Sequence, residues 1–247
     1  MNPLILNPYE DAEYKTHLLD VIREDDADRP RTLQKRIGPS GIGHPCHFCL
    51  GCMLAEVPKV DENKYADCWP AFVGTAVHKR LEHVYARQNR RLGVTRYLTE
   101  LNVTCGTIGD WELTGSCDLF DPVTGKVTDF KVQGDKPMTR TAKEGISEVY
   151  RVQKHTYGLG MANAGHIVTK VGLLILAKSK NFLDDAMYVA EPWDWKIAEA
   201  AIRRADTIYR AGERDGWGYV LPRLKHMDGC WDCGKYAAGV QALAAAA

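Results

Sequence analysis

No apolar run in this 247-residue chain approaches the roughly 20 residues that a membrane-spanning helix requires, so no membrane partner is expected. The opening stretch MNPLILNPYEDAEYK lacks a basic leader and turns acidic quickly, which excludes a secretory signal at this end. Net charge is also absent, with 32 Lys and Arg against 32 Asp and Glu. That excludes a global basic field, although a local patch can still bind nucleic acid. There is no internal repeat, and no low-complexity segment before the terminal alanines. What remains is the composition of a globular cytoplasmic protein, 45% hydrophobic and 26% charged, long enough for one large domain or two small ones.

The pattern of elements is readable. Residues 1–37 are polar, with a helix expected over about 8–24 and a charged linker, REDDADRPR, after it. RIGPSGIGHPC reads as a loop. A main domain is expected over 38–236, followed by an Ala-rich tail, 237–247, that is frayed or helical. Val73, Val77, Leu81 and Val84 mark the apolar stripe of an amphipathic helix over 70–92. Strands are expected at about 97–105, 111–120 and 125–133, with Gly106, Gly109 and Asp110 in the first turn and Asp121-Pro122-Val123-Thr124-Gly125 in the second. A helix over 145–164, a buried strand over 168–178 and a strand over 186–191 come next. Pro192 is expected to open a helix reaching about 212. The order predicts an α/β fold, a mixed sheet flanked by helices.

Charge within the second hairpin carries the chemistry. Asp129 and Lys131 are two apart on a strand and share a face, and Asp118 lies on the partner strand. Two carboxylates that close repel unless a cation sits between them, and a hard ion such as Mg²⁺ or Mn²⁺ prefers oxygen ligands. Lys131 could then orient a water and stabilise developing negative charge. Taken alone, the D-x-K triplet also fits a solvent-facing strand. Residues 78–96 form a basic patch, with five Arg, one Lys and two His against one Glu.

Eight cysteines are many for such a chain. Cys46, Cys49 and Cys52 form C-x2-C-x2-C, and Cys230 with Cys233 forms a distant C-x2-C. Such a pairing signals a metal or cluster site, and its spacing leaves both Zn²⁺ and a [4Fe–4S] cluster open. Cys68, Cys105 and Cys117 are isolated and read as small buried hydrophobes.

Four motifs then stand in order. They are Gly74-x-x-x-His78, Gly115-x-x-Asp118, Asp129-x-Lys131 and Gln153-x-x-x-Tyr157. The chain thereby resembles the PD-(D/E)XK nuclease superfamily, specifically its RecB-type exonuclease branch, with phage-type and CRISPR-adaptation-type nucleases as the nearest kinds. The resemblance covers roughly residues 40–235. It implies a restriction-endonuclease-like core and a metal-dependent DNA exonuclease acting in recombination, repair or replication. It implies His78, Asp118, Asp129 and the Phe130 carbonyl as ligands of Mg²⁺ or Mn²⁺, Lys131 as the catalytic lysine, and Gln153 and Tyr157 as residues that order the site. Glu100 is a second-tier candidate. Lys79, Arg80, Arg87, Arg151 and Lys154, with Lys136 and Arg140, are candidates for phosphate contacts.

DNA, as linear ends or a single strand, is the expected partner, with a recombinase or single-strand-binding protein as a further one. A subset of the branch carries an iron–sulfur staple, which implies a [4Fe–4S] cluster here, with Zn²⁺ as the alternative. Cys46, Cys49, Cys230 and Cys233 are the preferred ligands and Cys52 the substitute. The staple's last downstream cysteine is missing, because Gly239 stands at its position. The competing readings are a catalytically inactive nucleic-acid-binding protein and a zinc-stabilised interaction domain.

Overall fold

Alternation of polar and apolar residues between Leu98 and Gln133, broken by two glycine-bearing turns, folds this stretch as an antiparallel meander. Its strands are β1 (Leu98–Ile108), β2 (Trp111–Asp121) and β3 (Lys126–Gln133). Gly109 and Gly125 take left-handed backbone in the turns, at φ 62° and 64°. Gly106, expected in the first turn, instead marks a bulge in β1, where the register shifts between Thr104 and Gly106. The computed structural model describes residues 8–27, 36–60 and 67–245. Residues 1–7, residues 28–35 with the end of the expected linker, residues 61–66 and the last two alanines therefore lie outside the described residues.

The helices follow from the same logic. α1 spans Pro8–Ala27, α2 His47–Leu54 and α3 Trp69–Leu92. After β3 come α4 (Asp135–Glu144), α5 (Glu148–Asn163) and β4 (Lys170–Ala177). β4 returns parallel to β3, and β5 (Met187–Pro192) adds antiparallel to β4. The sheet order is β1-β2-β3-β4-β5, so the expected mixed sheet flanked by helices is what the chain forms. α6 (Trp195–Asp215), the single turn α7 (Trp217–Val220) and α8 (Ala237–Ala245) complete the described α-helices. No helix among the described residues is long and apolar enough to cross a membrane.

Three expectations need correction. Pro192 does not open α6; it is the last residue of the edge strand β5, where a missing N–H costs no ladder bond. Asp194 is the cap, its carboxylate accepting from the Lys196 N–H at 3.0 Å. α4 was not expected at all. It is short and charged and buries only Met138, so it offered little apolar periodicity to read. The apolar stripe expected on α3 is only partly covered: Val84 is 37% exposed, and no residue of α3 is fully buried. α3 meets the sheet through Tyr85, stacked on Phe130 at 6.0 Å, and through His78, whose ring is edge-on to Phe130 at 5.9 Å.

The main core lies between the sheet and α5 and α6. Val103, Leu113, Cys117, Val127 and Val171 meet Val152, Met161, Ala205 and Ile208 there. A second cluster gathers Cys46, Phe48, Cys49 and Cys52 from the α2 region against Leu221, Tyr236 and Val240 from the C-terminal region. Cys105 and Cys117 are buried as expected, whereas Cys68 is only partly covered.

Candidate active site and thiolate group

The β1–β2 register flanks Glu100 with the pairs Thr99↔Leu119 and Leu101↔Cys117, so Glu100 lies opposite Asp118. The β2–β3 ladder ends at Leu119↔Thr128. One step further the same register would set Asp118 opposite Asp129, but there the strands part. The fork frees the Phe130 backbone: its N–H donates to Asp118 Oδ2 at 2.6 Å, and its carbonyl lies 3.0 Å from His78 Nε2. Glu100 and Asp118 thus lie opposite each other on β1 and β2, where His78 of α3 reaches Asp118.

His78 enters from α3 with Nδ1 3.4 Å from Asp118 Oδ1. Both ring nitrogens therefore face acceptors. Burial lowers the imidazole pKa, but Asp118 and then Asp129 outweigh it, and the net shift is upward. One ligand atom each from His78, Glu100 and Asp118 lies within 4.8 Å of the others. One nitrogen and two carboxylates form a donor set that suits a hard divalent ion.

Glu100 comes into this group from the second tier. Its backbone is left-handed, φ 50°, which is rare for a residue with a side chain. Ser116 donates to its Oε2 at 2.6 Å. Left-handed backbone at a residue with a side chain is a local cost of the kind that clusters at functional sites. Alternation along β1 could have put Glu100 on the Asp118 side of the sheet. Nothing in the sequence signalled Ser116.

Asp129 stands beside the group rather than in it. Gln153 Nε2 donates to its Oδ1 at 2.9 Å, and Lys131 Nζ lies 2.6 Å from its Oδ2. Complete burial pushes its pKa up, to about 6, against the pull of Lys131 and with a further push from Asp118. Lys131 Nζ also sits 5.2 Å from the Tyr150 ring centre. Tyr157 is one turn beyond Gln153 in α5, buried, its hydroxyl pKa driven up by burial and then by Asp129 and Asp118. Its ring explains Gly115: a Cβ there would lie 3.1 Å from Tyr157 Cε1 and 2.8 Å from Pro39 Cγ. Gly74 has no such reason, since nothing lies within 4 Å of an added Cβ.

The basic candidates divide. Arg80 and Arg87 on α3, and Lys136 and Arg140 on α4, are exposed. Lys79 is exposed but pairs with Glu82 at 2.8 Å. Lys154 is fully buried, 2.8 Å from Glu191, a position from which it reaches no phosphate. Arg151 pairs with the same Glu191 carboxylate at 3.2 Å. Burial pushes Glu191 up, but Lys154, then Arg151 and His155, outweigh it and hold it at about 2. Charge in the sequence gave no way to tell a buried lysine from a phosphate-reaching one.

At the other end of the core, Cys46, Cys49, Cys230 and Cys233 converge, one sulfur from each lying within 4.8 Å of the others. Cys46 Sγ is 3.5 Å from Cys233 Sγ, and Cys49 Sγ is 3.6 Å from both Cys230 and Cys233. None of the eight cysteines forms a disulfide. Burial raises Cys46, but the Cys49 and Met227 N–H groups outweigh it and lower its pKa; burial drives Cys49 far up and Cys233 to about 12. Cys52, the substitute ligand, lies outside this group, buried in the second core cluster, and burial pushes it to about 12. His226, which was not singled out from sequence, stacks on Phe48 with Nδ1 3.3 Å from Cys233 Sγ.

No protein-family model matches the chain, and no curated protein does. Among solved structures it is similar to SSO0001, at 16% identity and TM-score 0.47 over 80% of this chain and 86% of that one. It is similar to the alkaline exonuclease LHK-Exo from Laribacter hongkongensis, at 14% and 0.47 over 76% and 93%. It is also similar to a phage-related exonuclease from Haemophilus somnus 129PT, at 11% and 0.42 over 74% and 98%. At such scores these are resemblances of shape that assign no residue a role.

Proposed function

We propose that the chain is a divalent-metal-dependent deoxyribonuclease of the PD-(D/E)XK type, working as an exonuclease. The observation that carries this reading is the fork between β2 and β3. There His78, Glu100 and Asp118 point at one another, and the Asp129–Lys131 pair stands alongside. A binding-only protein has no use for carboxylates gathered this closely, because they repel one another unless a cation sits between them.

In this reading His78, Glu100 and Asp118 hold Mg²⁺ or Mn²⁺, with Asp129 and the Phe130 carbonyl as neighbours within the fork. The ion, when bound, supplies Lewis acidity to the scissile phosphate. Lys131 places a cation beside that phosphate and orients the attacking water. Gln153 fixes the Asp129 carboxylate by one hydrogen bond, and Asp129 in turn fixes Lys131. Tyr157 packs α5 against Gly115, so the helix that carries Gln153 keeps its height over the sheet. Arg80 and Arg87 offer exposed cations for backbone phosphates on the same helix as His78. A groove that tracks backbone suffices for an exonuclease, and the described residues form no separate sequence-reading module.

The test uses end-labelled linear and closed circular DNA with Mg²⁺, Mn²⁺ or EDTA. Linear DNA should be shortened from its ends in either metal, circular DNA spared, and EDTA should stop the reaction. Asp129→Ala and Lys131→Ala should each reduce the rate on the order of 10²- to 10³-fold. If both variants match the wild type, the reading fails.

A further inference from the structure

The expected four-iron cluster and the observed thiolate group disagree in size. Four thiolates on one zinc ion at about 2.3 Å define a tetrahedron with edges of about 3.8 Å. Three of the sulfur pairs here, at 3.5, 3.6 and 3.6 Å, approach that edge, and all four sulfurs fit within 4.8 Å. A cubane gives each thiolate its own iron. It therefore spreads the four sulfurs over a tetrahedron enlarged by the radius of the cluster itself. A group this tight has no room for four irons and four sulfides between its sulfurs.

The surroundings agree with a single ion. The Met227 N–H donates to Cys46 Sγ at 3.4 Å, and His226 Nδ1 faces Cys233 Sγ at 3.3 Å. Such outer contacts orient thiolate ligands and offset their charge. Each C-x2-C contributes both of its sulfurs, one pair at the start of α2 and the other in the C-terminal segment. Two such pairs complete a closed four-coordinate site without further help. Cys52 sits one turn beyond Cys49 on α2 and is wholly buried among Val57, Leu221 and Tyr236. Four sulfurs already satisfy a tetrahedral ion, so no role as a ligand is left for it.

We propose that Cys46, Cys49, Cys230 and Cys233 bind one tetrahedral Zn²⁺ in place of a [4Fe–4S] cluster, and that Cys52 is not a ligand. The site is closed and structural, a soft S₄ cage distinct in chemistry from the nitrogen and carboxylate group in the β2–β3 fork.

The full chain, expressed with iron and zinc both supplied and purified without oxygen so that a labile cluster would survive, decides this. One zinc per chain, no acid-labile sulfide and no broad absorption near the blue end of the visible spectrum are expected. Exchange for Co²⁺ should give the intense visible bands of a tetrahedral thiolate site. Cys52→Ser should keep one zinc per chain. Cys233→His, which zinc tolerates and which preserves a four-ligand cage, should keep the ion but weaken the sulfur-to-cobalt absorption by roughly a quarter, as one thiolate of four is lost. About four irons with four sulfides per chain would overturn the proposal, as would one iron without sulfide, or an apo protein. Loss of zinc in Cys52→Ser would overturn the ligand assignment. These readouts are independent of DNA cleavage, so they stand or fall apart from the nuclease reading.

Discussion

Glu191 shows how one carboxylate can serve a site it does not touch. It lies on β5 and gathers Lys154 at 2.8 Å, Arg151 at 3.2 Å and His155 at 3.3 Å, all from α5. Lys154 is fully buried, so its ammonium depends on this partner. Glu191→Gln should destabilise the protein at pH 7 by about 2–3 kcal/mol, at or below the low end for breaking a buried pair because Glu191 itself is partly exposed. The folded-state pKa is lowered from an ordinary 4.5 to about 2. The carboxylate's contribution is thus complete above about pH 4.5 and is lost as pH falls toward 2. Urea unfolding of wild type and Glu191→Gln across pH 2–7 should show the gap closing in that window. A gap independent of pH would refute the assignment. Lys154 also marks a limit on reading charge from sequence, since the sequence pattern alone made it a phosphate contact.

At the scale of elements, α5 is set by its two interior glycines. Gly158 and Gly160 each forgo up to about 1 kcal/mol of helix propensity relative to alanine. In return α5 lies close on the sheet. A Cβ on Gly160 would come 2.5 Å from Val103 Cγ2 and 2.9 Å from Cys105 Sγ; one on Gly158 would come 2.5 Å from the Trp193 ring. Val103 is buried, and its β-branched side chain is stiff at χ1. Gly160→Ala should therefore destabilise by about 1–3 kcal/mol despite the better propensity. Thermal unfolding should register this as a drop of several degrees. An unchanged or raised Tm would mean that the sheet yields. The same element explains why α4 escaped the sequence reading while α5 did not. α5 buries much of its length, from Val152 to Met161, whereas α4 buries one side chain and its register is decided by its neighbours.

For the whole molecule, the thiolate group closes the chain on itself. Its sulfur contacts link residues 181 to 187 positions apart. Backbone bonds run alongside, from the Phe48 N–H to the Lys225 carbonyl at 3.2 Å and from the Val60 N–H to the Lys235 carbonyl at 2.8 Å. Cross-linking a loop this long removes denatured-state freedom worth on the order of 5 kcal/mol in the chain-entropy model. Ejecting the thiolate-bound ion with a mercurial should lower the Tm of the whole protein by 5 °C or more. Omitting Mg²⁺ should abolish cleavage and leave Tm within a degree or two. Equal effects on Tm would mean that the two sites do not divide the work as proposed.

Sequence alone determined the kind and order of the five strands and of α1, α3, α5 and α6, because alternation, helical stripes and turn residues are local properties written within a few residues of one another. It also marked His78, Asp118, Asp129, Lys131, Gln153 and Tyr157 as a set, and four of five clustered cysteines as a group. Tertiary structure decided everything that depends on distance between elements. It brought Glu100 into the His78–Asp118 group and left Asp129 held by Gln153 and Lys131, since those choices follow from where the β2–β3 ladder ends. It buried Lys154 and left Arg80 in solvent, although the two carry the same charge. It drew four sulfurs to a spacing that suits one ion, which no count of residues between cysteines can specify, because spacing along the chain says which atoms can meet and not how far apart they come to rest.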